Sequence, residues 1–310
     1  MDCDNLPDRA DRLALRHQAA GDPGGLKYKI KDQKLKSRNK KTGHIKRFIF
    51  YINLLRAYLS NSIKSRLAYR EDFLSGFIAG AMMQLIGVLF IVSLFVKVPS
   101  LKGWRKEEIF FIFGFSQVSL GLFFTFFSNL LELSEKYIIE GHFDRILLRP
   151  LNSFFQVVTE RIYWEESSTI LVGLSMMSYS LSRMQLNLGL GDYLVTFGLV
   201  LAACTIYLAI FTILVSLTFW FNDRGSVVSV MLMLEGFSRY PVTIFNRAVR
   251  VILTFIIPYA FTAFFPSMYV LGKDKYSIYV WMTPVVALVF LSLALLIWRQ
   301  GTRAYESTGS

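Results

Sequence analysis

Long apolar runs alternate with short polar segments along the chain from about residue 73 onward. A run of about 20 apolar residues is the length that an α-helix needs to cross the hydrocarbon core of a bilayer. The run over 226–237 is short and contains Glu235. The pattern predicts six spans, over about 73–96, 109–131, 167–181, 193–221, 226–237 and 276–298.

The apolar stretch between the last two of these runs is broken by Pro258 and Pro266. Irregular backbone at membrane depth is tolerated only where protein or a water-filled cavity covers it. We therefore predict that residues 241–272 form a re-entrant hairpin. The expected fold is an all-α membrane protein with six transmembrane helices and this hairpin before the last of them.

A periodic segment precedes the first span. Its apolar residues recur at intervals of three or four, which places them on one face of a helix, whereas Arg56 and Lys64 lie elsewhere on it. Such a basic amphipathic helix next to a span is typical of one that lies in the headgroup plane, so we predict an N-terminal interfacial helix. The apolar positions are Phe48, Ile52, Leu55, Leu59, Ile63 and Leu67.

Composition agrees with a membrane protein, since 54% of the residues are hydrophobic and only 18% are charged. The first 70 residues hold 17 of the 34 Lys and Arg. Residues 27–47 have too few apolar side chains to fold alone. We predict a basic cytoplasmic tail over 1–46, disordered or bound to a surface, and one six-helix transmembrane domain over 47–310.

The tail also predicts orientation and partners. Beside a membrane domain, basic residues favour attraction to anionic lipid and retention in the cytoplasm over nucleic-acid binding. We therefore expect lipid as a partner and no nucleic acid. Six spans place both termini on the same side, the cytoplasmic side of a cytoplasmic membrane.

The sequence argues against an enzyme. Its histidines, His17, His44 and His142, all lie outside the predicted spans, so a histidine-based metal or protease site within the membrane is hard to build. The chain also has no G-x-x-x-x-G-K-[ST] loop for ATP. Cys3 and Cys204 lie in different environments and indicate no disulfide. We expect no catalytic residues, metal or cofactor.

Transport is the remaining class of function, and these residues leave its energy source undecided. Ion-coupled carriers hold charged groups deep in their spans, and Glu235 is the one acidic residue placed to do so. It precedes Arg239 by four residues, so a paired acid is favoured over a proton site. The phenylalanine-rich second span suits an amphiphilic cargo, although packing or lipid contact is the favoured interpretation. An ion-coupled carrier or channel for small amphiphiles is the alternative function.

The polar segment Glu132–Glu166 contains a second amphipathic pattern. Apolar residues at Ile139, Phe143, Ile146 and Leu147 share one helical face. Pro150 favours an extended Arg149 and so ends the predicted helix. An interfacial helix and a docking site for a soluble partner both fit. Its charges are Glu140, Asp144, Arg145 and Arg149.

Three segments of this chain resemble bacterial ABC-2-type permeases, the membrane subunits of ATP-binding-cassette exporters. Residues 141–152, GHFDRILLRPLN, are similar to the family's G-x-F-D-x-x-L-L-R-P-L-N. Residues 239–245 with 253–266 form the second match. Residues 301–310, GTRAYESTGS, are similar to its G-x-x-x-Y-x-S-x-G-S ending. The resemblance covers residues 48–310.

The resemblance implies a six-span half-transporter that pairs with a second copy or a paralogue and binds a pair of ATPase subunits. ATP would be bound by those subunits, and the cargo would be amphiphilic or drug-like. The implied ATPase-coupling residues are Glu140, Phe143, Asp144, Arg145, Leu148, Arg149 and Pro150. The implied gate and re-entrant residues are Glu235, Arg239, Tyr240, Pro241, Pro258 and Pro266.

Overall fold

A computed structural model describes residues 51–64, 66, 69–221 and 226–306. All regular structure in these ranges is helical, apart from one isolated bridge between Leu101 and Trp104. The chain forms two compact units, Met1–Ser60 and Asn61–Ser310. Residues 51–64, within the predicted interfacial helix, are helical, but their placement at a membrane surface stays a prediction. The predicted tail over 1–46 lies outside the described residues.

The second unit is built from α-helices joined by short 3₁₀ and π turns. The first and last membrane-length helices have 28 residues each, and the central one between them has 22. The α-helices are α1 (Arg70–Lys97), α2 (Lys106–Phe127), α3 (Phe143–Leu147), α4 (Ser153–Thr159), α5 (Ser167–Met184), α6 (Leu190–Ser216), α7 (Ser226–Glu235), α8 (Arg247–Val251), α9 (Phe264–Val270) and α10 (Ser277–Ala304).

Helix α2 is the centre of this unit. Of its 22 residues 16 are buried, and Phe113, Phe115 and Phe123 have no exposed surface. Helices α5 and α6 pack against it, and α10 packs on α6. Most of the phenylalanines of the second predicted span therefore pack in the core, which confirms the packing part of the favoured interpretation. By contrast, Ile91 is the single buried residue of α1.

Glycine permits a close backbone contact between α2 and α5. A Cβ atom on Gly114 of α2 would lie 2.7 Å from the carbonyl oxygen of Gly173 on α5, and a Cβ on Gly173 would lie 2.7 Å from that of Gly114. Small residues let helix backbones approach in this way where no hydrophobic effect drives helices together. The pairing holds α5 against α2 although α5 carries many polar side chains.

Four helices in the described part of the chain are long and apolar enough to cross a membrane, and a bent pair makes five if it counts as one span. Helix α5 is 18 residues long but carries seven Ser and Thr, and α7 has ten residues. Helices α5 and α7 are the two predicted spans that are not among these four. The count of six spans stays a prediction. The four helices are Arg70–Lys97, Lys106–Ile139, Leu190–Phe219 and Asp274–Ala304.

The bent pair is the segment that was expected to be re-entrant. Its halves, Arg247–Ile256 and Tyr259–Val270, meet at 76°, with Pro258 at the break. Pro266 lies in the first turn of α9, where a missing N–H costs no helical hydrogen bond. Pro258 thus lies at the break between the two helices, and Pro266 lies where it removes no helical hydrogen bond.

Contacts place both ends of this pair at one end of the bundle, which we call the hairpin end. Just before the pair, the Trp104 indole N–H donates to the Thr243 hydroxyl at 2.8 Å. Just after it, the Lys273 ammonium lies 2.8 Å from the carboxylate of Glu108, in the first turn of α2. The segment therefore enters and leaves beside the start of α2 and turns back between these points.

Candidate functional site

The polar segment follows α2 at the opposite end of the bundle, which we call the loop end. After α2 the chain passes through a 3₁₀ turn, Ser128–Leu133, and a π turn, Ser134–Ile139. It then reverses at Gly141, whose φ of +74° is a left-handed conformation that glycine adopts without a Cβ clash. The single helix expected from Ile139 to Arg149 is therefore wrong, because this reversal leaves only the five residues of α3.

Side-chain hydrogen bonds hold the turn after α3. The Gln156 amide donates to the carbonyl oxygens of Ile146 and Leu151, each at 3.1 Å. The Asn152 side chain accepts from the Phe155 N–H at 2.9 Å and so caps α4. Residues 148–152 are thus held from both sides as a defined turn, although they are exposed to solvent at most positions.

A polar cluster anchors the same segment to the end of α2. The Asn129 amide donates to the Tyr137 hydroxyl at 2.9 Å, and that hydroxyl donates to Glu160 at 2.6 Å. The Lys136 ammonium lies 3.1 Å from the same carboxylate. Burial raises the pKa of Glu160, but the hydrogen bonds from Tyr137 and Lys136 outweigh it and hold this pKa below its ordinary value. Glu160 is therefore ionised at neutral pH and ties the segment together.

Phe143 is buried in an aromatic cluster that we define as Phe143, Phe154, Phe219, Trp298 and Tyr305. Its ring centroid lies 5.0 Å from that of Tyr305 and 5.3 Å from that of Phe219. The side chain has no exposed surface. Phe143 therefore cannot contact a partner directly in this structure, and its position inside the chain corrects the surface role expected from the motif.

The remaining coupling candidates lie at the surface, except for the half-buried Asp144. Leu148 is 85% exposed, and Leu147 beside it is 47% exposed. The inward face expected of the helix is confirmed for Phe143 and Ile146 but is wrong for Leu147, because the shortened helix turns that residue outward. Exposed with Leu148 are Glu140, Arg145, Arg149 and Pro150.

Asp144 connects this surface to the end of the chain. Burial raises the pKa of the Tyr305 hydroxyl, and the nearby Asp144 carboxylate raises it further. Both residues belong to motifs noted in the sequence, but those motifs lie about 160 positions apart. No periodicity in the sequence signals that they meet.

The second group of candidates surrounds Glu235, the last residue of α7, which is 3% exposed. The Arg239 guanidinium lies 2.9 Å from one Glu235 oxygen and donates through Nε to the other at 3.4 Å. The Ser238 hydroxyl donates to the same carboxylate at 3.2 Å. The predicted pairing of Glu235 with Arg239 is confirmed, which supports a structural role for the acid over a proton site.

Hydroxyl groups extend this pair into a network that we define as Ser116, Tyr207, Glu235, Ser238, Arg239 and Thr262. The Tyr207 hydroxyl lies 2.8 Å from that of Ser238 and accepts from Thr262 at 3.1 Å. Ser116 lies 3.1 Å from Ser238. Since Ser116 and Tyr207 lie near the middle of α2 and α6, the network joins these helices, α7 and the bent pair at mid-length. No pattern in the sequence indicates that Tyr207 and Thr262 meet beside this ion pair.

The other gate candidates flank the network. Tyr240 is half-buried and Pro241 is buried, and they begin the path from Arg239 toward the hairpin end. Pro258 precedes the turn Tyr259–Phe261, which brings Thr262 to Tyr207. Pro266 is buried farther along, in α9. Glu235 and Arg239 thus lie in the network, and the turn after Pro258 leads into it at Thr262. Pro266 lies outside the network.

A family model described as ABC-2 family transporter protein matches residues 81–309. This chain belongs to the ABC-2 family. No curated protein sequence and no solved structure matches it significantly. The matched part contains the polar segment, the network, the bent pair and the C-terminal end of α10.

Membership confirms the ABC-2-type permease predicted from the three motifs. The ABC-2 permease is a multi-pass membrane protein and a component of membrane transport. Both groups of candidate residues lie in its matched region, the coupling candidates at the loop end and the gate candidates around mid-length. Their roles are developed below.

Proposed function

We propose that this permease is the membrane subunit of an ATP-driven exporter and that the exposed turn at the loop end docks a separate ATPase chain. The observation that carries this proposal is a hydrogen-bonded turn that presents Leu148, 85% exposed, between Arg145 and Arg149. A single exposed leucine is ordinary. Here Leu147 adjoins it, and hydrogen bonds hold the turn from both sides.

The chemistry of this turn describes its partner. An interface has an apolar core and a polar rim, and arginine is enriched in it. Leu147 and Leu148 would enter an apolar groove, and Arg145 and Arg149 would pair with carboxylates at its edge. Glu140 and Pro150 border the contact.

The transport cycle follows from linkage. ATP closes the two ATPase subunits, and each pulls on the turn of one permease copy or paralogue, so that the pair alternates between inward-open and outward-open states. ATP can drive this change only if it binds differently to the two states. In this proposal the permease crosses a bacterial cytoplasmic membrane six times, with both termini in the cytoplasm, and moves an amphiphilic or drug-like cargo.

The network and the bent pair form the gate of the proposed cycle. The bent pair is a re-entrant hairpin that opens toward the outer face, and its tip is held at Tyr207 through Thr262. Hydroxyl groups exchange hydrogen-bond partners at little cost, because each can donate and accept. Glu235 and Arg239 keep the charge neutral while Tyr240 and Pro241 carry a movement to the hairpin entrance.

A charge-reversal variant tests the docking surface. The double variant Arg145→Glu and Arg149→Glu should insert normally but lose most of the ATPase that co-purifies with the wild-type permease. The matched control is Arg247→Glu with Lys275→Glu, which reverses two exposed charges at the hairpin end. Equal ATPase recovery in both double variants would contradict the proposal.

The energy source separates the exporter from an ion-coupled carrier. Efflux from cells should stop when ATP is depleted and should continue when a protonophore collapses the proton gradient. The opposite dependence would favour the carrier. The ion pair of Glu235 with Arg239 argues against that outcome, because a paired acid is a poor proton carrier.

A further inference from the structure

We propose that the C-terminal end of α10 is part of the coupling element and that the aromatic cluster transmits movement of the docking turn to α6 and α10. This inference rests on the proposed function, since the movement is driven by the ATPase. It assigns positioning roles to Phe143, Tyr305 and Trp298, which act on the transport path without touching ATP or cargo.

The first observation is the packing of the Phe143 ring inside the aromatic cluster. Its ring lies among three others, with centroids at 5.0 Å for Tyr305, 5.3 Å for Phe219 and 6.3 Å for Trp298. The contacts with Tyr305 and Trp298 are edge-to-face, the arrangement that the ring quadrupoles favour. Since Phe143 is the first residue of α3, a shift of α3 displaces this ring against α10 and the end of α6.

The second observation is an independent contact from α4. The Trp298 indole N–H donates to the Ser153 hydroxyl at 3.2 Å, and the Phe154 ring lies 5.2 Å from that of Trp298. Helices α3 and α4 flank the exposed turn on either side. The docking turn is therefore attached to α10 at both of its ends.

The third observation is that α10 has a glycine, Gly301, where it packs against the cluster. Trp298 and Gly301 lie three positions apart, so they share one side of the helix, and Tyr305 directly follows the last residue of α10. A Cβ atom at Gly301 would lie 2.3 Å from Cδ2 of Phe219. This close approach places the Phe219 ring against the backbone of α10, and Phe219 ends the helical turn that continues α6.

A physical connection leads from this cluster to the gate. The 3₁₀ turn that continues α6 at the loop end carries Phe219, and α6 itself carries Tyr207, which contacts Ser238 and Thr262. Spatial connection alone does not demonstrate energetic coupling. Energetic coupling along this path is therefore measured at residues 235–262, the end farthest from the docking turn.

Hydrogen exchange on the permease–ATPase complex provides this measurement, because it needs no knowledge of the cargo. A non-hydrolysable ATP analogue with Mg²⁺ should change amide exchange in the wild-type complex at two places, residues 143–159 and residues 235–262. In the variant Tyr305→Ala, the ATPase should still co-purify, since the docking surface is intact. The change at 143–159 should remain, and the change at 235–262 should fall at least threefold.

Two further variants serve as controls for this experiment. Tyr305→Phe keeps the ring and should retain the response at 235–262. Tyr193→Ala removes a tyrosine ring that is 53% exposed at the hairpin end and should also retain it. If Tyr305→Ala does not insert, the milder pair Trp298→Phe with Ser153→Ala loosens the α4 contact and should weaken the response by about half.

Each outcome separates the two proposals. A wild-type response at 235–262 in Tyr305→Ala, or in the milder pair where that variant is needed, would overturn the role of the cluster and leave the exporter intact. A wild-type permease that binds no ATPase would overturn the proposed function, and this inference with it. A lost response in Tyr305→Phe would show that the hydroxyl beside Asp144 acts and would overturn transmission through ring packing.

Discussion

Gly301 lies at a point of α10 where the backbone of one helix meets an aromatic ring from another element. A Cβ atom there would overlap Phe219, at 2.3 Å from Cδ2 and 3.0 Å from Cγ. Phe219 is packed in turn against Phe143 and Trp298, so it has little room to move aside. Glycine, which has no Cβ atom, therefore leaves room at position 301 for the packed rings of Phe143, Phe219 and Trp298.

The variant Gly301→Ala should therefore lower the free energy of unfolding by about 1–3 kcal/mol, the usual cost of overpacking a core. The control Gly198→Ala adds a methyl group to α6 where no atom lies within 4 Å. It should be neutral or stabilising by up to about 1 kcal/mol, because alanine favours a helix over glycine. Thermal unfolding in detergent measures both, and equal midpoints would contradict the packing argument.

At the scale of elements, α7 ends at Glu235 in a buried ion pair. The Glu235 carboxylate is 3% exposed and is satisfied by Arg239 and Ser238. Removal of one partner of a buried pair leaves an uncompensated charge, whereas removal of both can be nearly neutral. Ser238 links this pair to Ser116 on α2 and Tyr207 on α6.

Arg239→Leu should destabilise the permease by about 3–5 kcal/mol, because it leaves the Glu235 carboxylate buried without its cation. The double variant Glu235→Gln with Arg239→Leu should recover most of that loss, since no buried charge remains. Thermal unfolding of the purified variants is the measurement. A double variant less stable than Arg239→Leu would show that the two residues do not act as a pair.

At the scale of the whole transmembrane unit, the two candidate regions have distinct positions along the bundle. The docking turn and the aromatic cluster lie at the loop end, and the entrance of the bent pair lies at the hairpin end beside Trp104 and Glu108. In the proposed orientation, the loop end faces the cytoplasm and its ATPase. The bent pair then opens outward without crossing the membrane.

Cysteine labelling of intact cells tests this topology. In a Cys3→Ser background, Asn246→Cys and Lys275→Cys should both react with a membrane-impermeant maleimide, because the hairpin begins and ends outside. Glu160→Cys, at the loop end, should react only after the cells are opened. Opposite accessibility at positions 246 and 275 would identify the bent pair as a crossing. The native Cys204 is buried and gives a low background.

Sequence reasoning succeeded where the cause is local. The apolar lengths of α1, α2, α6 and α10 predicted helices of membrane length, because the bilayer thickness and the helical rise set that length. The pairing of Glu235 with Arg239 followed from a spacing of four residues. Local reasoning failed at Gly141, where the chain reverses and shortens the expected helix to α3.

The sequence by itself determined the helical class, the main spans, the membership in the ABC-2 family and the place of its motifs along the chain. Each of these follows from composition, periodicity or a short run of residues. Only the tertiary structure decided that Tyr305 lies against Phe143. It also brought Ser116, Tyr207 and Thr262 to the ion pair. The physical reason is that buried hydrogen bonds join residues 31, 55 and 122 positions apart, and ring packing joins Phe143 to Tyr305 over a still longer separation, so no local pattern encodes which partner will be found.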